Sequence, residues 1–208
     1  MKKAIVVGAG GHAKVIIDIL QRNGEYEVVG VVDAARTEGV WGIPFWGTDE
    51  NLTTIYRQRK VEYAFVALGN NKIREKVTAK AKAAGFQMIN AISKEAIISP
   101  RVTIGEGVAV MPGAVINADA VLKDGSIVNT NASIDHESIV GEYTHVAPGS
   151  AVCGGVTIGR GCLLGAGCRV IDHLQIGNNT IIGAGSTVIK DIAGNCTAVG
   201  IPAKIIKK

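Results

Sequence analysis

The sequence has few aromatic residues, no long apolar run and no block of basic residues. Aromatics make up only 4% of the 208 residues. No apolar run approaches the roughly 18 residues that suggest a membrane-spanning helix. The apolar run "AIVV" near the N-terminus is too short for a signal peptide and is followed at once by glycines. The net charge of +4 is spread along the chain, which gives no sign of nucleic-acid binding. We therefore expect a cytoplasmic protein with no membrane span and no nucleic-acid partner.

The cysteines also lack a pattern. None of the four, which are Cys153, Cys162, Cys168 and Cys196, forms a Cys-x-x-Cys pair, and such pairs are typical of structural zinc sites. We expect no metal site, and we interpret the four thiols as reduced, small apolar fillers.

Glycine, by contrast, is abundant, and the chain has two halves with different patterns. Residues 1–91 alternate between short apolar runs and segments with helical spacing, as in "HAKVIIDILQRN" and "NKIREKVTAKAKAAGF". The runs "KKAIVVGA", "YEVVGVVD", "VEYAFVALG" and "QMINAI" are interpreted as four strands. This alternation predicts a small parallel α/β unit, Rossmann-like in its order.

Residues 92–208 repeat with a period of six. Written in hexads from Arg101, the fourth position is aliphatic in each of fifteen hexads, from Ile104 to Val188. A hexapeptide period predicts a parallel β-helix in which three hexads form one coil, with the aliphatic side chain pointing inward. The pattern fails at Gly194, where we expect the stack to end.

The N-terminal unit carries a glycine-rich turn, Gly8-Ala9-Gly10-Gly11-His12, between a strand and a helix. Free N–H groups at a helix start bind phosphate, and Asp33 ends the second strand, where a Rossmann unit keeps its ribose-binding acid. Because residues 1–91 hold only one mononucleotide-binding half, a mononucleotide or nucleotide sugar is favoured over a dinucleotide.

The order "GAGGHAKV", a strand ending at Asp33, "GNNKIREK" and hexads containing "DHE" resembles one family of hexapeptide-repeat acetyltransferases. These are the sialic-acid O-acetyltransferase and bacillosamine N-acetyltransferase-like enzymes. The resemblance implies a left-handed β-helix that binds acetyl-CoA as co-substrate, an N-terminal unit that binds a nucleotide sugar, and a homotrimer with sites between neighbouring β-helices.

By this resemblance each site residue has an expected role. The nucleotide sugar would contact Gly10, Gly11, His12, Asp33 and Arg36. Acetyl-CoA would contact His145, Gly154, Ala166 and Ala184. The catalytic pair would be His136, as general base, and Glu137.

Several of these positions carry open alternatives. Asp135 and Glu137 both flank His136, and the residues alone do not choose between them, whereas the resemblance favours Glu137. Gly154 lies one coil after His136, and the backbone of Gly154 and Gly155 is the candidate oxyanion donor.

Three further residues have weaker assignments. Arg74 could meet phosphate or lie on a solvated helix face, and Lys204 could approach CoA phosphates or belong to a solvated tail. His173 has no acid after it and is interpreted as a surface residue.

The sequence therefore predicts an acetyl-CoA-dependent N-acetyltransferase that acts on a nucleotide-linked 4-amino-deoxysugar by direct transfer. The alternatives are an O-acetyltransferase of the same fold, a nucleotide-binding protein that uses its β-helix only to trimerise, and a purely structural β-helix. The residues do not identify the nucleotide as UDP, GDP or dTDP.

Overall fold

The computed structural model describes residues 1–207. The chain forms two compact units, Met1–Lys94 and a second unit from Glu95 onward. Each is described by itself below.

The first unit is a four-stranded parallel sheet with helices between its strands. The strands are β1 (Lys2–Val7), β2 (Tyr26–Val32), β3 (Tyr63–Val66) and β4 (Gln87–Met88), in the order β2-β1-β3-β4. The helices are α1 (Gly11–Asn23), α2 (Leu52–Arg59), preceded by a 3-10 turn at Asp49–Asn51, and α3 (Asn71–Ala84). The prediction of a parallel α/β unit is confirmed.

Glycines end the two predicted helices. Gly24 and Gly85 both adopt the left-handed conformation, in which an N–H can reach back to a carbonyl of the last turn. Asn70 begins α3 by accepting a hydrogen bond from the Ile73 N–H at 3.1 Å.

Two details of the first unit differ from the prediction. The run "QMINAI" is not one strand, because only Gln87–Met88 joins the sheet and Ala91–Ile92 forms a separate short strand, β5. Helix α2 was not predicted, since it buries only Leu52 and Ile55 and so lacks a clear apolar face.

The second unit is a β-helix with three faces, each a parallel sheet of very short strands. Face 1 contains β6 (Ile97–Ile98), β9 (Val115–Ile116), β12 (Ser133–Ile134), β15 (Ala151–Val152), β18 (Arg169–Val170) and β21 (Thr187–Val188). Face 2 contains β7 (Thr103–Ile104), β10 (Val121–Leu122), β13 (Ile139–Val140), β16 (Thr157–Ile158) and β19 (Gln175–Ile176). Face 3 contains, from Glu95 onward, β8 (Ala109–Val110), β11 (Ile127–Val128), β14 (His145–Val146), β17 (Leu163–Leu164), β20 (Ile181–Ile182), β22 (Thr197–Val199) and the antiparallel β23 (Lys204–Lys207).

Strands on each face pair three hexads apart, as the predicted coil requires. Ile134, for example, lies between Ile116 and Val152. The fourth hexad position points inward and is buried from Val110 to Val188, whereas Ile104 is half-buried. The predicted core of the β-helix is therefore confirmed, with Ile104 as the exception.

The first position of each hexad from residue 107 to residue 185 has a positive φ. Glycine fills eight of these fourteen corners, because a left-handed corner costs glycine least. This requirement explains much of the high glycine content. The other six corners are Asp119, Asn131, Glu137, Tyr143, His173 and Asn179.

The register changes at the end of the stack. Ile181 pairs with Thr197, and Ile182 pairs with Ala198, whereas in the preceding coils each residue pairs with the one three full hexads later. The last coil is therefore shorter than three hexads, which is why the hexad pattern is lost near Gly194.

Candidate active site

The imidazole of His136 lies at the corner between faces 1 and 2, which we call the His136 edge. The left-handed residues of this edge are Asp119, Glu137, Gly155 and His173. His136 Nδ1 is 3.2 Å from Glu137 Oε2. The opposite side of the ring lies over Gly154, where a methyl group would be 2.5 Å from His136 Cε1 and 2.6 Å from Nε2. Only glycine at position 154 leaves room for the ring in this orientation.

Asp135 hydrogen-bonds the Asn117 side chain and the His136 backbone rather than the His136 ring. Its Oδ1 accepts hydrogen bonds from Asn117 Nδ2 at 2.7 Å and from the His136 N–H at 2.8 Å. The Asn117 amide and then the His136 N–H lower the pKa of the Asp135 carboxyl. Asp135 therefore holds the corner in shape, and the ring nitrogen of His136 meets Glu137.

The backbone N–H groups of the two glycines differ. Gly155 N–H donates to the His136 carbonyl at 2.9 Å and is occupied. Gly154 is buried, and its N–H has no hydrogen-bond partner within residues 1–207. The Gly154 N–H is therefore a donor that a bound ligand could use.

His145 lies on face 3, half-buried, with its Nε2 3.0 Å from Asn129 Nδ2. The orientation of the Asn129 amide is determined by its oxygen, which accepts the Thr130 N–H at 2.8 Å. The amide nitrogen then donates to His145, so Nε2 is an acceptor, and an imidazole with a single proton carries it on Nδ1. Asn129 could not be found from the sequence, because it lies on the preceding coil rather than beside its partner in the chain.

Ala166 and Ala184 lie on the edge between faces 3 and 1, which we call the Ala166 edge. Both residues are exposed and belong to consecutive coils, since the Gly185 N–H donates to the Ala166 carbonyl at 2.8 Å. Among residues 1–207, no partner is present for the Ala166 and Ala184 N–H groups. The edge thus offers a column of small, exposed side chains and unpaired donors among the described residues, as expected for a groove that accepts a thin chain.

Within one chain the predicted residues of the β-helix form three separate groups. His136, Glu137 and Gly154 meet at one edge, His145 meets Asn129 on face 3, and Ala166 and Ala184 line another edge.

In the first unit, the loop after β1 approaches the loop after β3. Gly8 has φ +122°, and a methyl group there would be 2.6 Å from the Ala67 carbonyl oxygen. Gly10 and Gly11 face open space, and no side chain of residues 1–207 caps the start of α1. The free N–H groups of this helix start are available to an anion.

Asp33 connects the loop after β1 to the loop after β2 through hydrogen bonds. Its carboxylate accepts the Ala9 N–H at 2.7 Å, the Ala35 N–H at 2.8 Å and the Arg36 N–H at 2.9 Å. Partial burial acts to raise the pKa of Asp33, but these three hydrogen bonds and the Arg36 charge outweigh it and lower the pKa.

Two cavities open beside Asp33. One, of about 540 Å³, has a largely apolar lining that includes Val32, Leu68, Ile73 and Val77. The other, of about 340 Å³, is lined by residues that include Lys14 and Glu38. Arg36 lines both cavities with an exposed side chain.

His12 is half-buried at the start of α1. Burial, and then the charge of Arg74, lower its pKa to about 4. His12 Nε2 is buried and has no hydrogen-bond partner within residues 1–207.

Arg74 is only 1% exposed and donates to the Leu68 carbonyl at 2.8 Å and to Asn71 Oδ1 at 2.9 Å. The solvated alternative for Arg74 is therefore wrong, and these hydrogen bonds give the side chain a structural role in this loop, whereas a contact with phosphate stays a prediction.

The cysteines follow the prediction in part. Cys162, Cys168 and Cys196 are buried free thiols, and burial raises the pKa of Cys168 to about 11. Cys153 is exposed, so its interpretation as an apolar filler is wrong.

Lys204 is exposed at the start of β23. No helix within residues 1–207 has the length and apolar character needed to cross a membrane.

Comparison with known proteins places both units in one class, the hexapeptide-repeat transferases. Residues 3–81 match the PglD N-terminal domain, and residues 137–172 and 155–190 match the bacterial transferase hexapeptide family. The fold superposes on perosamine N-acetyltransferase from Caulobacter crescentus, solved as a His-to-Asn variant with CoA and GDP-perosamine. The TM-score is 0.96 at 43% identity, over 100% of this chain and 98% of that one.

The acetyltransferase domain of PglB from Neisseria gonorrhoeae is also similar, with a TM-score of 0.94 at 36% identity over 99% of this chain and 100% of that domain. The chain therefore belongs to the PglD-like family of hexapeptide-repeat acetyltransferases. UDP-N-acetylbacillosamine N-acetyltransferase from Bacillus subtilis is 33% identical over 112 residues, which are 53% of this chain and 52% of that protein. The chain spans between a fifth and about half of the length of such curated relatives.

Proposed function

We propose that this protein transfers the acetyl group of acetyl-CoA to the amine of a nucleotide-linked 4-amino-deoxysugar. The observation that carries the proposal is the imidazole of His136, held between Glu137 at 3.2 Å and the side-chain-free Gly154. Proteins of 43% and 36% identity bind CoA with GDP-perosamine, and acetyl-CoA, respectively. These complexes support the same two substrates here.

The His136 edge can carry out the chemistry in one direct step. Glu137 accepts a hydrogen bond from Nδ1–H, which leaves the lone pair of Nε2 on the Gly154 side as the base. The sugar amine attacks the thioester carbon while Nε2 takes its proton. The Gly154 N–H donates to the oxyanion that forms. The C–S bond then breaks, and the CoA thiolate recovers the proton from Nε2, so no covalent acyl-enzyme is needed.

The nucleotide sugar is proposed to bind in the first unit, at the carboxyl ends of the parallel strands. Gly10 and Gly11 leave open space at the helix start, where N–H groups favour phosphate. Asp33 lines the cavity of about 540 Å³, and Arg36 lines both cavities. His12, neutral because of its low pKa, would act there as an uncharged contact.

The active assembly is proposed to be a homotrimer. His136, His145 and the Ala166 edge lie on different parts of one prism, so one bound acetyl-CoA can meet all three only if neighbouring β-helices face each other. The cofactor would then run along Ala166 and Ala184 of one subunit and end at His136 of the next. Light scattering tests this directly, with an expected mass three times the 21.6 kDa of the chain. A stable, active monomer would contradict it.

The activity is tested with purified protein, acetyl-CoA and a thiol reagent. GDP-, UDP- and dTDP-linked 4-amino-4,6-dideoxysugars are supplied in turn, together with matched 4-hydroxy sugars. We expect thiol release with an amino sugar only, with a product heavier by one acetyl group. His136→Ala is expected to lower kcat by about 100- to 10,000-fold. Acetylation of the hydroxy sugars would show an O-acetyltransferase, and full turnover of the His136→Ala variant would refute the assignment of the base.

A further inference from the structure

A second imidazole reaches the glycine pair opposite His136. His173 occupies the left-handed corner one coil beyond Gly155, and its N–H donates to the Gly154 carbonyl at 2.9 Å. A methyl group on Gly155 would collide with His173 Nδ1. His136 thus packs on Gly154 from the preceding coil, and His173 packs on Gly155 from the following coil.

The direction of the His173 ring follows a general rule of this β-helix. At three other corners the left-handed side chain also covers a glycine on the preceding coil: Asn131 over Gly113, Tyr143 over Gly125 and Asn179 over Gly161. The corner geometry therefore fixes the His173 side chain beside the glycine pair, although that side chain is 74% exposed. The interpretation of His173 as a surface residue describes its exposure but misses this placement.

The position of His173 along the prism indicates which substrate it meets. His173 follows β18, and the same coil continues through β19 and β20 to Ala184. Ala166 ends the coil that begins at β15 and contains Gly154. His173 therefore lies at the level of the proposed acetyl-CoA contacts, one coil beyond Gly154, whereas His136 lies one coil before it.

The chemistry of the CoA arm fits an imidazole at this level. The pantetheine chain carries two amide groups, each with one donor and one acceptor. The Ala166 and Ala184 N–H groups can satisfy its carbonyls but not its N–H groups, and the Ala166 carbonyl already accepts one hydrogen bond, from the Gly185 N–H. A neutral imidazole supplies both an acceptor and a donor. Asp172 Oδ2, 3.9 Å from His173 Nε2, adds a further acceptor beside the ring.

We propose that His173 is a substrate-contact residue that hydrogen-bonds the pantetheine arm of acetyl-CoA next to the thioester. This inference rests on the proposed acetyl transfer. It assigns to His173 the binding of the acyl donor and leaves proton transfer to His136.

The test uses His173→Asn, because asparagine already occupies the equivalent left-handed corners at Asn131 and Asn179 and should preserve the backbone. We expect the KM for acetyl-CoA, and the Kd for CoA measured by calorimetry, to rise about three- to tenfold, the loss expected from one hydrogen bond. The kcat and the KM for the amino sugar should stay within about twofold of wild type. Asn179→Gly, a change at the same corner position on another edge, is the matched control and should alter none of these constants.

An unchanged KM and Kd in a folded His173→Asn protein would overturn the inference while leaving the acetyl transfer intact. A wild-type protein that binds no CoA would instead refute the proposed function itself. If His173→Asn lowers the melting temperature, His173→Gly, which also fits the positive φ, replaces it in the same measurements.

Discussion

His136 and Gly154 lie on consecutive coils, and the imidazole of the first occupies the space that a side chain on the second would need. A methyl group on Gly154 would lie 2.5 Å from Cε1 and 2.6 Å from Nε2 of the ring. The orientation of the proposed base therefore depends on a residue with no functional group of its own.

Gly154→Ala is expected to lower kcat by at least about 100-fold, because the new methyl group displaces the ring and breaks its contact with Glu137. Gly154 has no positive φ, so the backbone accepts alanine. Steady-state kinetics with acetyl-CoA and the amino sugar measures the loss. In a His136→Ala background the same change should cost almost nothing further, since the clash is gone. An additive loss would show that Gly154 acts independently of the ring.

The two carboxylates beside His136 should respond differently to neutralisation. Glu137→Gln keeps the length of the side chain but removes the carboxylate that accepts a hydrogen bond from Nδ1–H, so we expect kcat to fall about tenfold or more at pH 7. Asp135→Asn does not change the partner of the ring, and its effect should be smaller. Equal losses in the two variants would contradict this division of roles. Circular dichroism of both proteins confirms that the fold is kept.

Asn129→Asp should invert the hydrogen bond at His145. The carboxylate can only accept, so Nε2 must carry the proton and Nδ1 loses it. If His145 donates from Nδ1 to acetyl-CoA, the KM for acetyl-CoA should rise about tenfold while the KM for the sugar changes little. Asn129→Gln preserves the donor and serves as the conservative comparison. Similar kinetics for Asn129→Asp and wild type would refute the tautomer assignment.

The low pKa of His12 predicts that the first unit becomes less stable in acid. Its pKa is about 4 in the folded chain, below the value of 6.5 for an unperturbed histidine. Between these values the unfolded state binds the extra proton, so stability is highest above pH 6.5 and falls as the pH drops toward 4. The contribution of His12 to this loss is up to about 3 kcal/mol.

Urea unfolding at pH 7 and pH 4.5, followed by tryptophan fluorescence, measures this loss. Both tryptophans, Trp41 and Trp46, lie in the first unit and report its unfolding. His12→Asn removes the titrating ring and should narrow the difference between the two pH values. An equal loss in wild type and variant would show that His12 is not the source of the acid lability.

The β-helix could be predicted in detail because its core obeys a local period. From Val110 to Val188, every fourth-position residue of a hexad is buried, as a count of six along the sequence requires. The same count placed Gly154 one coil after His136. The shorter last coil could not be predicted, because it depends on how residues 189–196 contract one turn of the stack.

The partners of the site residues were harder to predict. Asn129 reaches His145, and Asn117 reaches Asp135, each across one coil of the stack. Which polar side chains meet across coils depends on the direction each takes at a corner, and the hexad period does not specify that direction. Arg74 illustrates the same limit, since a helix residue with a charge gave no sign that it would be only 1% exposed.

The coils between Ile97 and Val188 all have the same length, so equivalent corners are evenly spaced along the axis of the β-helix. Each coil adds about 4.8 Å along the axis, and each edge repeats the same corner geometry in every coil. A complete extra coil inserted between Gly155 and His173 should leave the core continuous while moving His173 one coil farther from His136. The reach of the site along a bound chain molecule is therefore set by a whole number of coils, and enzymes of this architecture could change it only in steps.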